Sequence, residues 1–424
     1  MANNLTSNTS SIVLKKFAEK FESSTVLMKT VDRQLIQGAL NADTGDTVYL
    51  KRPHQYNSLR TAGGDISAST KNNLISGKIP AKVSNYCTVA VEYGQVEEAL
   101  QLNQLDQILQ PVADRIVTDI ELELANFMMQ NGALHLGSVG TAVTKWSDVA
   151  QTGSFLTDLG AMSGNKYAVM NPWAAQALAE KQSALNENNL VRSAWENAQI
   201  SGNFGGVRAL MSNSLASRQV GAKGGTLTVK TTPTVTYTAV KDTYQMTVVL
   251  TGATASVTNY VRAGDIVEFA TSYWINQQTK QTLQDATGPI KFTATVLQNA
   301  NSDGAGDVTV LLSGVSIIDG TNPQYNTVSA AITAGMSVTV RGTANATVKP
   351  NLFFADGFVA MGTVELPKLH SIDSSVMTSP QGGLSIRVHK YSDGDKNKQM
   401  MRFDVLPAFA VMNPHMGGTF FGNP

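Results

Sequence analysis

The chain has 424 residues, a formal net charge of zero and only 15% charged residues. That length exceeds one typical core and predicts two or three domains, and the balanced charge excludes attachment to nucleic acid through bulk charge. Cys87 is the only cysteine, which excludes an intrachain disulfide and any need for an oxidising compartment.

No window approaches the roughly 18 apolar residues of a membrane-spanning helix. The opening Met1-Ala-Asn-Asn-Leu-Thr-Ser lacks the charged start and apolar core of a secretory signal. The expectation is a soluble protein made inside the cell. Residues 1–10 are polar. Ile12, Val13, Phe17 and Phe21 then mark a short amphipathic helix that also carries Lys15, Lys16, Glu19, Lys20 and Glu22. So short a helix is marginal in water and needs a partner surface. A second short helix is predicted over 26–39, before a turn at 43–46.

Residues 47–93 read as a long two-stranded excursion. Thr47–Lys51 goes out and Val83–Tyr93 comes back, with Cys87, Val89 and Val91 on one face. Between them, Arg52, Arg60, Lys71, Lys78 and Lys82 face a single acid, Asp65, in a stretch rich in Gly, Ser, Asn and Thr. An unstructured loop of this length inside a compact domain points to function or to an extended arm. It is either a solvated basic loop or an arm that crosses an acidic or polar face of a neighbouring subunit.

The clearest helical signal follows. Val112, Ile116, Ile120, Leu124, Phe127 and Met128 make one apolar stripe, with Asp114, Arg115, Asp119, Glu121 and Glu123 mostly off it. Pro111 suits a first helical position, and Asn131-Gly132 a helix end. Lys166–Met170 then predicts a strand, Asn171-Pro172 a helix to Gln182, and 188–199 another helix. At Gly221 the composition shifts. From there to about Asn345, Thr, Val, Ala and Gly dominate, and short alternating strands are predicted at 226–230, 234–239, 245–251, 265–271, 290–297, 307–312 and 337–341. This reads as an all-β module, a small barrel or sandwich. Mixed character returns after Pro350, with an apolar run at 352–361 and a hairpin of 384–390 with 399–411. The module is therefore an insertion in a discontinuous domain. Val169-Met-Asn-Pro172 and Val411-Met-Asn-Pro414 repeat one tetrapeptide.

Reactive chemistry is hard to find. His54, His135, His370, His389 and His415 stand apart, with neither His-Glu-x-x-His nor Cys-x-x-Cys spacing. No phosphate-binding glycine loop, dinucleotide fingerprint or Gly-x-Ser-x-Gly elbow occurs. Asp303-Gly-Ala-Gly-Asp307 sets two carboxylates in a Gly-rich loop, where a plain hairpin turn is favoured over calcium. Glu121 and Glu123 read as acids on a solvated helix face, and Cys87 as a small buried hydrophobe. No catalytic residue, cofactor or metal site is assigned. A non-enzyme is expected.

The order of parts, with Glu121-Leu-Glu-Leu-Ala-Asn126, Gly264-Asp-Ile-Val-Glu-Phe269, Gln284-Asp-Ala-Thr287 and Asn351-Leu-Phe-Phe-Ala-Asp356, resembles the major capsid (coat) proteins of short-tailed bacteriophages of enteric bacteria. The resemblance covers essentially the whole chain. It implies an α+β fold, the tailed-phage and herpesvirus capsid fold, with an extended loop, a spine helix and an inserted all-β domain. The implied parts are an arm at 1–42, the loop at 43–93, the spine region at 94–132, a capsomer-centre domain at 133–221, the insert at 222–346 and a return at 347–424.

By the same resemblance, copies form hexamers and pentamers around a scaffolding protein. The shell carries a portal protein and encloses double-stranded DNA without reading its sequence. Synthesis in the host cytoplasm and residence in the virion capsid follow, with no membrane. Expected subunit contacts are Arg52, Arg60, Lys71, Lys78, Lys241 and Asp242, and the expected scaffolding contact is Phe17, Glu19 and Glu22. A secreted β-rich adhesin or surface-layer protein is the rival reading.

Overall fold

The computed structural model describes Lys15 and residues 17–21, 25–33, 47–52, 54–61, 63–69, 71–94, 105–161, 164–182, 205–363, 366, 374–378, 385–393 and 398–424. Ile12, Val13, Glu22, residues 34–39 of the helix expected over 26–39 and the helix expected over 188–199 lie outside them. Its contacts divide the chain into two units. One comprises Met1–Leu50, Pro80–Ala125 and Val359–Ala410, the other Lys51–Ile79, Asn126–Phe358 and Val411–Pro424.

In the first unit, Ser374–Thr378, Ile386–Asp393, Lys398–Val405 and Cys87–Gly94 form an antiparallel sheet in that order. The expected returning strand is in fact two, Lys78–Val83 and Cys87–Gly94, and they belong to different sheets. Cys87, Val89 and Val91 are half-buried while Thr88, Ala90 and Glu92 are exposed, the alternation of a strand with one covered face. Asp404 is buried on this sheet, where it takes hydrogen bonds from Arg387, Arg402 and Thr88. The rings of Phe17 and Phe403 stack at 4.6 Å, and Phe17 and Phe21 are both fully buried.

The long helix spans Leu105–Asn131 and buries Val112, Ile116, Ile120 and Leu124, as its stripe requires. It begins earlier than Pro111 suggested. Pro111 lies inside it, on the exposed side, and has no N–H to continue the ladder. Glu121 departs from expectation too. It is 3% exposed, not solvated, because the backbone N–H groups around Leu27 converge on its carboxylate. Those groups open the 3₁₀ turn Leu27–Lys29, the single helical turn that the described part of 26–39 contains.

The second unit holds a five-stranded mixed sheet in the order Leu134–Leu136, Gly417–Phe420, Asn351–Ala355, Lys166–Met170, Arg208–Met211. The two outer pairs are parallel and the two inner pairs antiparallel. The repeated tetrapeptide has a physical role here. In each copy a strand ends and an Asn side chain caps the helical turn that Pro begins. Asn171 Oδ1 accepts from Ala174 N at 3.0 Å, and Asn413 Oδ1 from His415 N at 3.1 Å.

The module after Gly221 is a closed barrel, ordered Ile266–Tyr273, Lys291–Val296, Val308–Ser313, Gln245–Ala253, Gly225–Val229, Ser337–Val340 and back to the first. Alternate residues such as Val248, Leu250, Val310, Leu312, Phe269 and Phe292 fill its interior. The strand expected at 234–239 does not form. Residues Tyr237–Val240 make one helical turn, which lets the Tyr237 ring lie on that of Tyr325 at 3.5 Å. Asp303 acts as a turn former, accepting from Ala305 N and Asp307 N, and Asp307 pairs with Lys230.

Three barrel hydroxyls meet the end of the long helix. Thr293 donates to the Ala133 carbonyl at 2.9 Å, Thr295 to that of Gly132 and Ser313 to that of Asn131. Asn131 is the last residue of the helix, and Gly132 and Ala133 follow it. A terminal helix carbonyl has no partner within the helix, and the hydroxyls supply a donor to each of these three successive carbonyls.

Candidate functional site: the loop and its neck

The residues between Arg52 and Gly77 leave the fold as a loop closed at its neck by a hydrogen bond from Arg52 N to Gly77 O, 3.0 Å. Further out the two limbs are tied side by side. Asn57 N donates to Asn72 Oδ1 and Asn72 Nδ2 donates to Asn57 O, both at 2.9 Å. Tyr56, Leu59, Ile66 and Leu74 are exposed large hydrophobics, Tyr56 at 64% and Leu74 at 65%. Arg60 and Lys71 are exposed beside them. Ser67 N donates to Asp65 Oδ1 at 2.8 Å, and this backbone bond holds the Asp65 carboxyl below its ordinary range.

The neck differs in character. Arg52 is 5% exposed. Its Nε donates to the Lys241 carbonyl at 2.9 Å and its Nη1 to the Met412 carbonyl. Its guanidinium carbon lies 3.9 Å from the centroid of the Tyr244 ring, a cation–π distance. Burial pulls the Arg52 pKa down, opposed by Tyr244, Tyr237 and Asp242; burial raises that of Tyr244. Tyr244 takes up a positive φ of 53°, a conformation uncommon for a bulky residue. On the other limb, Lys78 N donates to Asp242 Oδ1 at 2.8 Å, and Lys241 Nζ pairs with Asp242 Oδ2 at 2.9 Å. These two donors keep the Asp242 carboxyl low, with the Lys241 side chain first. Asn73 reaches Asn322 at 3.2 Å and accepts from Gln324 at 3.3 Å.

The structure thus brings Arg52, Lys78, Lys241 and Asp242 together inside one chain. It leaves Arg60 and Lys71 at the surface. Arg52, expected as a contact between subunits, is buried, with Nε and Nη1 donating within the chain, since burial demands partners for them. Among the scaffolding candidates, Phe17 is packed internally, Glu19 is exposed and Glu22 lies outside the described residues. Tyr237, Tyr244 and Tyr325, central to the neck, carried no signal in the sequence beyond being aromatic. Among the described residues, no group of three His, Cys, Asp or Glu could hold a metal. No helix of those residues is long and apolar enough to cross a membrane.

Comparison with known proteins identifies the class. The "Major capsid protein" of Acyrthosiphon pisum secondary endosymbiont phage 1 is 60% identical over 425 residues and covers 100% of both chains. A family model described as "P22 coat protein - gene protein 5" matches residues 1–422. These matches define a structural protein of a phage capsid. The chain belongs to the P22 coat protein family. This is a family of capsid proteins, not of enzymes, and neither match points to an adhesin or surface-layer protein.

Among solved structures, one described as Mycobacterium phage Che8 is similar at 12% identity and a TM-score of 0.43, covering 93% of this chain and 90% of that one. The capsid of Ralstonia phage GP4 is similar at 8% identity and a TM-score of 0.43, covering 93% and 87%. The two sequence matches carry the assignment.

Proposed function

We propose that this chain is the major capsid protein of a phage, many copies of which close into an icosahedral shell around packaged double-stranded DNA. The single observation that carries this reading is the 60% identity, end to end, with a protein described as a major capsid protein. In this reading copies group as hexamers and pentamers, assemble on a scaffolding protein and share the shell with a portal. The loop at 43–93 is the arm that lies across a neighbouring copy. The region 94–132 is the spine region, which contains the helix Leu105–Asn131, 133–221 the capsomer centre, and 222–346 an inserted domain.

The physical character of the loop supports an arm. Exposed Tyr56, Leu59, Ile66 and Leu74 offer apolar surface that a second copy would remove from water. Arg60, Lys71 and Lys78 supply charge at its rim, Glu19 offers a charged contact on the N-terminal arm, and Arg52 is already committed inside the subunit. Zero net charge limits repulsion between closely packed copies. Each exposed ion pair contributes below about 1 kcal/mol, yet such contacts add up when repeated over a shell.

The test is sedimentation and electron microscopy of the full chain, made with and without a co-expressed scaffolding protein. Closed particles of uniform radius are expected. A chain that stays monomeric at high concentration under both conditions overturns the reading.

A further inference from the structure

Within the loop, the neck at Arg52 and Gly77 and the tie between Asn57 and Asn72 join the same two limbs at two levels. Two ties make the limbs between them one lever. Whatever fixes the neck therefore fixes where the tip residues Leu59 and Ile66 arrive. Arg52 is the fixture at the neck, with the Asn73 contacts to Asn322 and Gln324 a second hold further out. Its one side chain joins the start of the loop to Lys241 in the inserted barrel region and to Met412 near the C-terminal end. Asp242 holds the other limb through Lys78 N. The fit is close: a methyl group at Gly77 would lie 2.6 Å from the Lys241 carbonyl oxygen.

We infer that the Arg52 clamp sets the direction in which the loop leaves the subunit, which makes Arg52 a positioning residue for assembly with a second copy of this chain. The inference rests on the reading of the loop as an arm between copies. The chemistry favours arginine in particular. A planar guanidinium donates in two fixed directions while its face stays on the Tyr244 ring, whereas an ammonium is a point charge that cannot hold both carbonyls and the ring in one orientation. A shell needs the same arm angle in every copy, and a small error at the neck becomes a larger one at the tip.

The experiment compares the full chain with Arg52→Lys, Asp242→Ala and a tip variant, Leu59→Ser with Ile66→Ser. Each is followed by hydrogen exchange as a monomer and by electron microscopy after assembly. For Arg52→Lys, exchange across 72–79 is expected to rise about tenfold or more, while barrel strands 245–253 and 308–313 keep parental rates. Closed shells are expected to fall several-fold, replaced by open or uneven particles.

Parental exchange and parental shells in Arg52→Lys, with a defective tip variant, overturn the clamp and leave the arm reading standing. A tip variant that closes shells as the parent does overturns the arm reading and the clamp with it. Should Arg52→Lys not fold, Asp242→Ala decides, since its side chain is half-exposed and outside the core. Faster exchange at Lys78 with fewer closed shells supports the clamp, and parental behaviour in both refutes it.

Discussion

Glu121 Oε1 accepts the backbone N–H of Leu27 at 2.7 Å, across 94 positions of sequence. The same oxygen takes the N–H of Val26 and, at 3.5 Å, that of Met28. The turn Leu27–Lys29 has no side-chain cap of its own, so a carboxylate on the long helix does the work of an N-cap. Replacing Glu121 with Ala leaves these N–H groups unpaired in a buried place. A loss of about 1–3 kcal/mol in urea unfolding is expected, with faster exchange at 26–28. Glu121→Gln, which keeps an acceptor of the same reach, should recover part of it. Equal stability of parent and Glu121→Ala would show that the bond contributes nothing net.

The long helix gives a sharper test. Leu124 and Ile120 are buried to within 1% on its stripe. Asp at either place would put an unpaired charge among apolar side chains, and a loss of about 3–5 kcal/mol is expected. The measurement is soluble yield and urea unfolding of the monomer. Normal yield with normal shells from Leu124→Asp would mean that the stripe is not core.

How much of this was legible in the sequence depends on the range over which each feature is encoded. The long helix from Pro111 onward and the barrel strands around Val248 and Val310 follow from periodicity, which is local, whereas the first turns of the helix at 105–110 do not. The loop showed itself through its length and composition. Glu121 and Arg52 are buried against the solvated look of their sequence setting, for one reason. An acid on a helix and an arginine in a loop look solvated until backbone groups from far away reach them. The partners of Arg52 lie 189 and 360 positions along the chain, where no spacing rule operates. Thr-rich residues 234–239 resembled a strand because β-propensity reads residue type, while the stacking of Tyr237 on Tyr325 is a tertiary choice.

The hydroxyls of Thr293, Thr295 and Ser313 should each matter more than their size suggests. Thr293→Val and Thr295→Val keep shape and remove the donor to a carbonyl just past the helix end. A cost of about 1–3 kcal/mol apiece is expected. The three lie side by side on successive carbonyls, so the triple variant with Ser313→Ala should depart from the sum of the singles. Exchange at the end of the long helix reads the effect directly. Unchanged exchange at 128–133 in the triple variant would remove any role for these bonds.

The last prediction concerns pH. His415 and His135 are fully buried, and burial, with nearby Arg52 and Lys280 for the former and Arg341 and Arg218 for the latter, pushes each pKa down to about 3. Geometry requires the neutral form at His415, because its Nε2 accepts the N–H of Val315 at 3.1 Å and cannot carry a proton while doing so. Trp274 lies edge-on to the ring at 5.2 Å and offers no charge to balance an imidazolium.

In the unfolded chain both histidines titrate near an ordinary value of about 6.5. Above that pH neither state binds the protons and stability is flat. Between about 6.5 and 3 the unfolded state binds them and the native state does not, so stability falls as pH falls, by up to ~1.4 kcal/mol per pH unit for each histidine. Urea unfolding of the monomer at pH 7.5, 6 and 5 should show this decline above the range in which carboxylates titrate. His415→Gln, which can still accept from Val315, should be less stable at pH 7.5 yet lose less on going to pH 5. A parent whose stability does not change between pH 7.5 and 5 would mean that His415 and His135 find protonated arrangements in the native state.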